Sequence, residues 1–367
     1  MDKASGHRNA GSRSRAKDVA RLAGVSTATV SRALNLPDLV DPATRERVQR
    51  AIEKLRYVPH GVASALRSQR TRMVGAVVPS FDYALYARTT SALQRGLDER
   101  GYSLVLAAHH YDLGNEVRVT EQLVRHGVDA FVFVGIDHDA ALYRLLESYG
   151  RPYVLTWGND PGRLRPSIGF DNAGATLAIT RYLAGLGHRR FALISAPTEG
   201  NDRARERGAG VRAALAAQGM GLDTRDVRYG PIALASGTKL MHELLRRRVR
   251  PTAVIATNDV FAVGAMIACR EAGVRVPEDV SITGVDNTDL GATQTPGLTS
   301  VRTPIVEIGD AAARQLIARL DGMPAELHQR MPFELVIRGS TAPPRQHGTR
   351  RSAVVSTAAQ LHPRREG

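Results

Sequence analysis

From Met73 onward, short aliphatic runs alternate with amphipathic stretches of helical period, and this alternation constrains the fold more than any other feature of the chain. The aliphatic runs fall at 74–78, 103–107, 130–134, 153–155, 191–194, 253–256 and 280–283. Helical patterns lie between them at 88–99, 116–125, 140–148, 173–184, 211–217, 239–247 and 260–271. Near-continuous apolar runs suit strands buried on both faces, which is how helices cover a parallel sheet. The length accommodates two such sets, so an α/β arrangement of two Rossmann-like lobes facing across a cleft is expected. Ligands of such sheets bind at the carboxyl ends of the strands. Those ends carry polar residues here: Ser80-Phe81-Asp82-Tyr83, Thr156-Trp157, Thr257-Asn258-Asp259 and Gly284-Val285-Asp286-Asn287.

Several function classes lack their signatures. No GxGxxG follows the first strand and no Walker loop occurs, so neither a dinucleotide cofactor nor a nucleoside triphosphate is expected. No G-x-S-x-G elbow is present, and the chain is read as no enzyme. The single cysteine, Cys269, sits in an apolar helical pattern without a partner for a disulfide or a CxxC site. Histidines at His109-His110 and in Asp137-His138-Asp139 invite a metal, but adjacent side chains diverge and no second cluster has ligand spacing, so none is expected. No apolar run of about 18 residues occurs, and the first residues lack the apolar stretch of a signal peptide, which points to a cytoplasmic protein without a membrane partner.

Charge separates the ends from the middle. Residues 1–72 hold 15 Lys/Arg against 6 Asp/Glu, residues 343–367 hold 5 against 1, and residues 73–342 hold 30 against 29. A small basic unit beside a large neutral one is the pattern of a domain that meets a polyanion, although basic ends are also found as solvated tails. Residues 1–15 have no apolar period and read as a disordered basic arm, as do 343–367 as a tail. Between Lys17 and Arg56 three short helices are expected. Val19, Ala20, Leu22 and Ala23 face a core from the first; Gly24 closes it, and Ser26 caps a second that runs from Thr27 to about Leu34. Ala20, Gly24 and Val30 have the spacing of two helices crossing closely around a tight turn. Asp41 and Pro42 begin the third, whose buried stripe is Val48, Ile52 and Leu55. On the second helix Thr27, Ala28 and Arg32 point away from Val30. In a helix-turn-helix they would face base edges, with Arg32 suited to a guanine, while Ser26, Thr29, Ser31 and Asn35 would bind phosphates. An ordinary helical hairpin with a polar outer face has the same spacing.

Specific motifs go further. Lys17-Asp18-Val19-Ala20-Arg21-Leu22-Ala23-Gly24-Val25-Ser26, then Thr29-Val30-Ser31-Arg32-Ala33-Leu34-Asn35, closely resembles the LacI/GalR headpiece, as does Ala43-Thr44-Arg45-Glu46-Arg47-Val48 leading to Tyr57-Val58-Pro59. The resemblance continues to about residue 342 through Gly169-Phe170-Asp171-Asn172, Leu186-Gly187-His188, Arg205-Glu206-Arg207-Gly208, Asn258-Asp259 and Val276-Pro277-Glu278-Asp279. It implies an all-α helix-turn-helix headpiece at 16–60, a hinge at 61–72 and a core at 73–342 that looks like periplasmic sugar-binding proteins. The chain would cross between lobes near 170, 288–302 and 331. Leu66 would be the hinge's minor-groove wedge, with Arg67 on a flanking phosphate. Arg207, Asn258 and Asp286 would be the polar contacts to a small effector, walled by Trp157, Phe170 and Ile232, and Asp171 reads better as a helix cap. The implied protein is a homodimeric regulator, a repressor of a near-palindromic operator under control of a sugar or sugar derivative. Asp82-Tyr83-Ala84-Leu85-Tyr86 stands where many relatives have Asn-Pro-Phe, and this more aromatic segment suits a disaccharide, an aryl glycoside or a nucleoside. A purine-sensing regulator with a co-repressor, or a sugar-binding protein without a role in gene control, are the alternatives. No leucine heptad at the C-terminus suggests a tetramer.

Overall fold

The computed structural model describes residues 15–57 and 70–345. The chain divides into two compact units, residues 1–72 and 73–367. The expected hinge contacts Leu66 and Arg67, the arm up to residue 14 and the tail beyond 345 lie outside the described residues.

In the first unit, helices α1 (Ala16–Ala23), α2 (Thr27–Asn35) and α3 (Pro42–Leu55) close around Val19, Ala20, Ala23, Val30, Val48, Ala51 and Tyr57. Gly24 takes φ +67°, and the Val25 N–H returns to the Ala20 carbonyl at 3.0 Å, so the chain reverses within one residue. Ser26 Oγ accepts the Thr29 N–H at 3.1 Å, and Asp41 accepts that of Thr44 at 3.0 Å. Leu22 departs from expectation: it is exposed. On a short helix crossed on its Ala20 and Ala23 side, residue 22 falls on the outer flank, because each residue advances the face by about 100°.

The second unit holds two six-stranded sheets. The first runs β11-β5-β4-β3-β1-β2, from β1 (Met73–Val78), β2 (Ser103–Ala108), β3 (Ala130–Val134), β4 (Tyr153–Thr156), β5 (Ser167–Phe170) and β11 (His328–Met331). The second runs β12-β10-β9-β8-β6-β7, from β6 (Phe191–Ser195), β7 (Val227–Tyr229), β8 (Ala253–Ala256), β9 (Ser281–Asp286), β10 (Thr299–Arg302) and β12 (Glu334–Val336). Strand pairs are parallel except β10 with β12. Helices α4 (Ala84–Asp98), α5 (Leu113–Arg125), α6 (Ala140–Ser148) and α12 (Ile305–Leu320) belong with the first sheet. The second has α7 (Asn172–Gly185), α8 (Asp202–Ala216), α9 (Leu234–Leu245), α10 (Asp259–Glu271) and the single turn α11 (Asp289–Ala292). Glycines let helices touch: a Cβ on Gly96 would lie 2.7 Å from that of Ala313, joining α4 to α12, and one on Gly237 would lie 2.6 Å from the Phe261 carbonyl, joining α9 to α10.

Three differences from expectation matter for the site. The chain crosses between the lobes three times, but the middle crossing follows Arg302, because α11 and β10 both belong to the second lobe and α12 is the first element back in the other. Helix α8 begins at Asp202, nine residues before its apolar period starts at Val211, because its first turns meet the opposite lobe through polar groups instead of an apolar core. Helix α12 has no counterpart among the expected helices, although Ile305, Ile308, Ala312 and Leu316 form a clear buried stripe. The last described residues also remain with the core: Arg345 Nη1 donates to Asp279 at 3.0 Å.

Candidate functional site

The carboxyl ends of both sheets converge on one cleft. Tyr83 and Tyr86 follow β1, Tyr111 follows β2 and Trp157 follows β4; from the other lobe come Arg203 and Arg207 on α8, Ile232, and Asn258 after β8. These side chains enclose a cavity of about 30 Å³. Asp286 ends β9 just behind this lining, where it accepts a hydrogen bond from the Tyr83 hydroxyl across the cleft.

The polar side is a connected network. Arg207 Nε donates to Asn172 Oδ1 at 2.9 Å, its Nη1 to the Thr257 carbonyl at 2.6 Å, and its Nη2 lies 3.6 Å from Asp286 Oδ1. Asn172, at the first crossing, also donates from Nδ2 to the Trp157 carbonyl at 2.8 Å, so one side chain ties both walls together. Burial pushes the Asp286 carboxyl up to about 7, against the pull of Arg207 and with help from Asp259. Asp259 itself is held at about 6 by burial, although it accepts from the Thr288 hydroxyl at 2.9 Å. Asn258 serves first as the cap of α10, its Oδ1 accepting the Phe261 N–H at 3.0 Å. Phe170 lies behind the cavity lining, its ring centroid 5.8 Å from the Arg207 guanidinium carbon. Asp171 caps α7 by accepting the Gly174 N–H at 2.8 Å and pairs with Arg330.

The aromatic side packs edge to face. Tyr83 and Tyr86 meet at 87° with centroids 5.4 Å apart, and Tyr86 meets Trp157 at 69° and 5.5 Å. Backbone outliers gather here too: Trp157 has φ +71°, Tyr111 +61° and Asp286 +115°, conformations that cost side-chain-bearing residues energy and recur at functional sites. In this cleft the buried donor Trp157 Nε1 and the buried acceptor Asp286 Oδ1 have no hydrogen-bond partner among the described residues.

The start of α8 latches the two lobes. Asp202 Oδ2 accepts the Ile136 N–H at 3.1 Å, Arg203 Nη1 donates to Asp202 Oδ1 at 2.6 Å and to the Val134 carbonyl at 3.3 Å, and Arg205 Nη2 donates to Asp137 Oδ1 at 2.7 Å. Glu206 beside them is raised to about 7 by burial, then by Asp202. Sequence reasoning missed this latch and Tyr111, and marked Tyr83 and Tyr86 only as part of an aromatic pocket segment. The available signal was a run of charges, Asp202 to Arg207, placed directly after a capping Asn201.

Two features set apart in the sequence come together below the cleft: Glu116 is fully buried, with His138 Nδ1 at 2.8 Å and His109 Nε2 at 3.6 Å. Among the described residues no His/Cys/Asp/Glu group is arranged to hold a metal ion, and no helix is long and apolar enough to cross a membrane.

In the first unit, Ser26, Thr27, Ala28 and Arg32 are exposed on one side of α2, with Thr29 and Ser31 half-buried beside them. The Ser26 and Thr29 hydroxyls lie 2.9 Å apart and bond to each other. Asn35 is the last residue of α2.

Residues 16–60 match the family model of bacterial regulatory proteins, lacI family, and residues 180–341 match a periplasmic binding protein-like domain. The chain is 37% identical over 328 residues to the HTH-type transcriptional regulator CelR of Thermobifida fusca, covering 87% of this chain and 94% of that one. It is 34% identical over 308 residues to the HTH-type transcriptional repressor PurR of Erwinia tasmaniensis, covering 83% and 89%. Among solved structures, a CelR–cellobiose complex superposes with a TM-score of 0.67 at 34% identity, covering 89% of this chain and 100% of that one. The lac repressor dimer bound to operator and the anti-inducer ONPF gives 0.82 at 27% identity, covering 90% and 100%.

Proposed function

The chain belongs to the LacI family of bacterial regulatory proteins, and from that premise we propose that it is a homodimeric repressor that leaves its operator when a neutral sugar, of about disaccharide size, binds between the core lobes. It is a sequence-specific DNA-binding regulator, as its relatives are. The headpiece at 16–60 presents Thr27, Ala28 and Arg32 to base edges, and Ser26, Thr29, Ser31 and Asn35 to phosphates. The hinge at 61–72 brings Leu66 and Arg67 to the minor groove. Arg207, Asn258 and Asp286 hold the effector against Trp157 and Ile232, with Phe170 supporting Arg207 from behind.

The observation that carries the sugar reading is the pair of unmet polar atoms. Trp157 Nε1 needs an acceptor and Asp286 Oδ1 needs a donor, and buried polar groups of native proteins are almost always satisfied. A hydroxyl group is both. Aromatic edges and faces around it suit the C–H surface of a pyranose. The cleft's charges argue for a neutral ligand: Arg203 is matched by Asp202 and Arg207 by Asp286. A phosphate would bring charge that no remaining cation among the described residues of the cleft lining offsets, at a cost of several kcal/mol when buried. A purine is the second reading, favoured by the aromatic wall and by relatives named PurR. The near-perpendicular rings offer it no parallel pair of faces.

With a cavity of about 30 Å³, a disaccharide enters only as the lobes part at their crossings, which breaks the Tyr83–Asp286 bond and strains the α8 latch. The effector then acts through its different affinity for the two lobe arrangements. A thermal-shift screen tests the assignment. Cellobiose and other neutral disaccharides at about 100 times their dissociation constant should add roughly 2.7 kcal/mol, several degrees in melting temperature. Stabilisation by sugar phosphates alone, or by hypoxanthine and guanine alone, would refute it.

A further inference from the structure

We infer that the second lobe carries another nucleic-acid contact, a groove of arginines that holds the phosphate backbone of a duplex distinct from the operator. The groove sits at the amino ends of β6 and β8, the end of the sheet opposite the effector cleft. Two segments converge there: Arg189 and Arg190 before β6, and the loop from α9 to β8, which carries Arg248 and Arg250. They line a concavity of about 510 Å³. The two carboxylates in its wall are already committed, Asp223 to Arg225 at 2.6 Å and Asp226 to Arg247 at 2.7 Å. Arg189, Arg190, Arg248 and Arg250 are exposed and pair with no carboxylate among the described residues. Arg189 Nη1 is steadied by the Ala184 and His188 carbonyls, at 3.1 and 2.8 Å, which orient it without neutralising it.

The surplus is local, because residues 73–342 as a whole hold 30 basic residues against 29 acidic. A helix C-terminus favours cations, which accounts for Arg248 at the end of α9. It does not account for Arg189, Arg190 and Arg250, which come from strand approaches. Every cation in the groove is arginine, whose planar fork matches phosphate oxygens where a lysine would offer a point charge. The last described residues pass close to this groove: a Cβ on Gly187, two residues before Arg189, would lie 3.7 Å from Pro344. A regulator of this family works surrounded by duplex DNA, the linear polyanion such a groove fits.

The test uses the full chain with its operator site saturated by unlabelled operator, and a labelled duplex of unrelated sequence as the probe. The wild type should capture the second duplex at 50 mM salt. Four phosphate contacts imply a loss of about 100-fold between 50 and 200 mM. R190E/R248E/R250E should abolish capture while operator affinity stays within twofold, and R190Q/R248Q/R250Q should weaken it if the reversed-charge variant melts early. R144E/R181E/R270E, an equal reversal at exposed arginines elsewhere, should leave capture unchanged. No capture by the wild type, capture that survives the groove substitutions, or equal loss in the control variant would overturn the proposal. So would displacement by poly-glutamate as effective as by duplex at equal charge. Because operator binding is read in the same samples, a failed headpiece assignment is separable from a failed groove.

Discussion

The two walls of the cleft are built from opposite chemistry. The second lobe presents Arg207, Asn258 and Asp286, each fixed by a hydrogen bond or ion pair to its own lobe or to the crossing. The first lobe presents Tyr83, Tyr86, Tyr111 and Trp157, held mainly by edge-to-face packing. Under the proposed function this difference becomes a division of labour: one wall would set which hydroxyls are read, and the other would supply area and close over them. It also follows from the fold, because α8 and the end of β9 bring charge into the cleft from one side only.

Arg207→Ala should break this comparison most severely. It removes three partners and leaves Asp286 buried beside no cation, which costs about 3–5 kcal/mol in denaturant unfolding of the core. Effector affinity should fall at least about 100-fold, with operator binding retained below the melting range. Retained effector response would mean that the polar wall is only structural. Gly264→Ala tests the frame behind that wall. Its Cβ would crowd the Leu234 carbonyl and lie 2.8 Å from the Thr238 nitrogen, at a cost of about 1–3 kcal/mol. Urea midpoints should drop while isothermal titration shows unchanged effector affinity, since Asn258 and Asp259 at the start of α10 stay capped.

Protonation separates the walls without mutation. The Asp286 carboxyl lies at about 7 in the folded protein, above the ordinary value near 3.9. A raised carboxyl contributes stability that is complete at low pH and is lost as pH rises through about 4 to 7; Asp259 and Glu206, also raised, act in the same direction. Effector binding should run the opposite way, because a hydroxyl donates best to the carboxylate. Calorimetry at pH 5.5 and 8 should show affinity rising about 10-fold, or about 1.4 kcal/mol, and Asp286→Asn should flatten the rise. A pH-independent affinity in the unaltered protein would place the ligand away from Asp286. The smallest effect belongs to the other wall: Trp157→Phe keeps a ring but deletes the unmet N–H, a loss of about fivefold, near 1 kcal/mol for one neutral hydrogen bond. A drop as large as that of Arg207→Ala would erase the distinction between walls.

The walls also differed in how readily they could be read from the chain. Arg207, Asn258 and Asp286 sit in motifs shared with relatives, so resemblance pointed to them, and the strand-end polar residues pointed the same way. Tyr83 and Tyr86 lie where this chain departs from those relatives, and were visible only as an aromatic anomaly. Tyr111 and Arg203 gave no local signal of a shared cavity, because what joins them is the meeting of two lobes far apart in sequence. The long aliphatic strands were legible for the same reason that they are buried. Strands β5, β7, β10, β11 and β12 were not, being three or four residues long with too few apolar positions to show a period. Helix α12 is different: its stripe was present and readable. In the headpiece, the Ala20, Gly24 and Val30 spacing foretold the helix crossing, while exposed Leu22 depended on which flank α3 covers.

The most direct test of the account is fluorescence anisotropy of the full chain on a labelled operator, titrated with cellobiose, with a phosphorylated disaccharide and with hypoxanthine. The account predicts that the neutral sugar lowers operator affinity at least about 10-fold, an effect lost in Arg207→Ala, while the other two compounds leave it unchanged. Release by the phosphorylated sugar, or tightening by the purine with no response to neutral sugars, would contradict it.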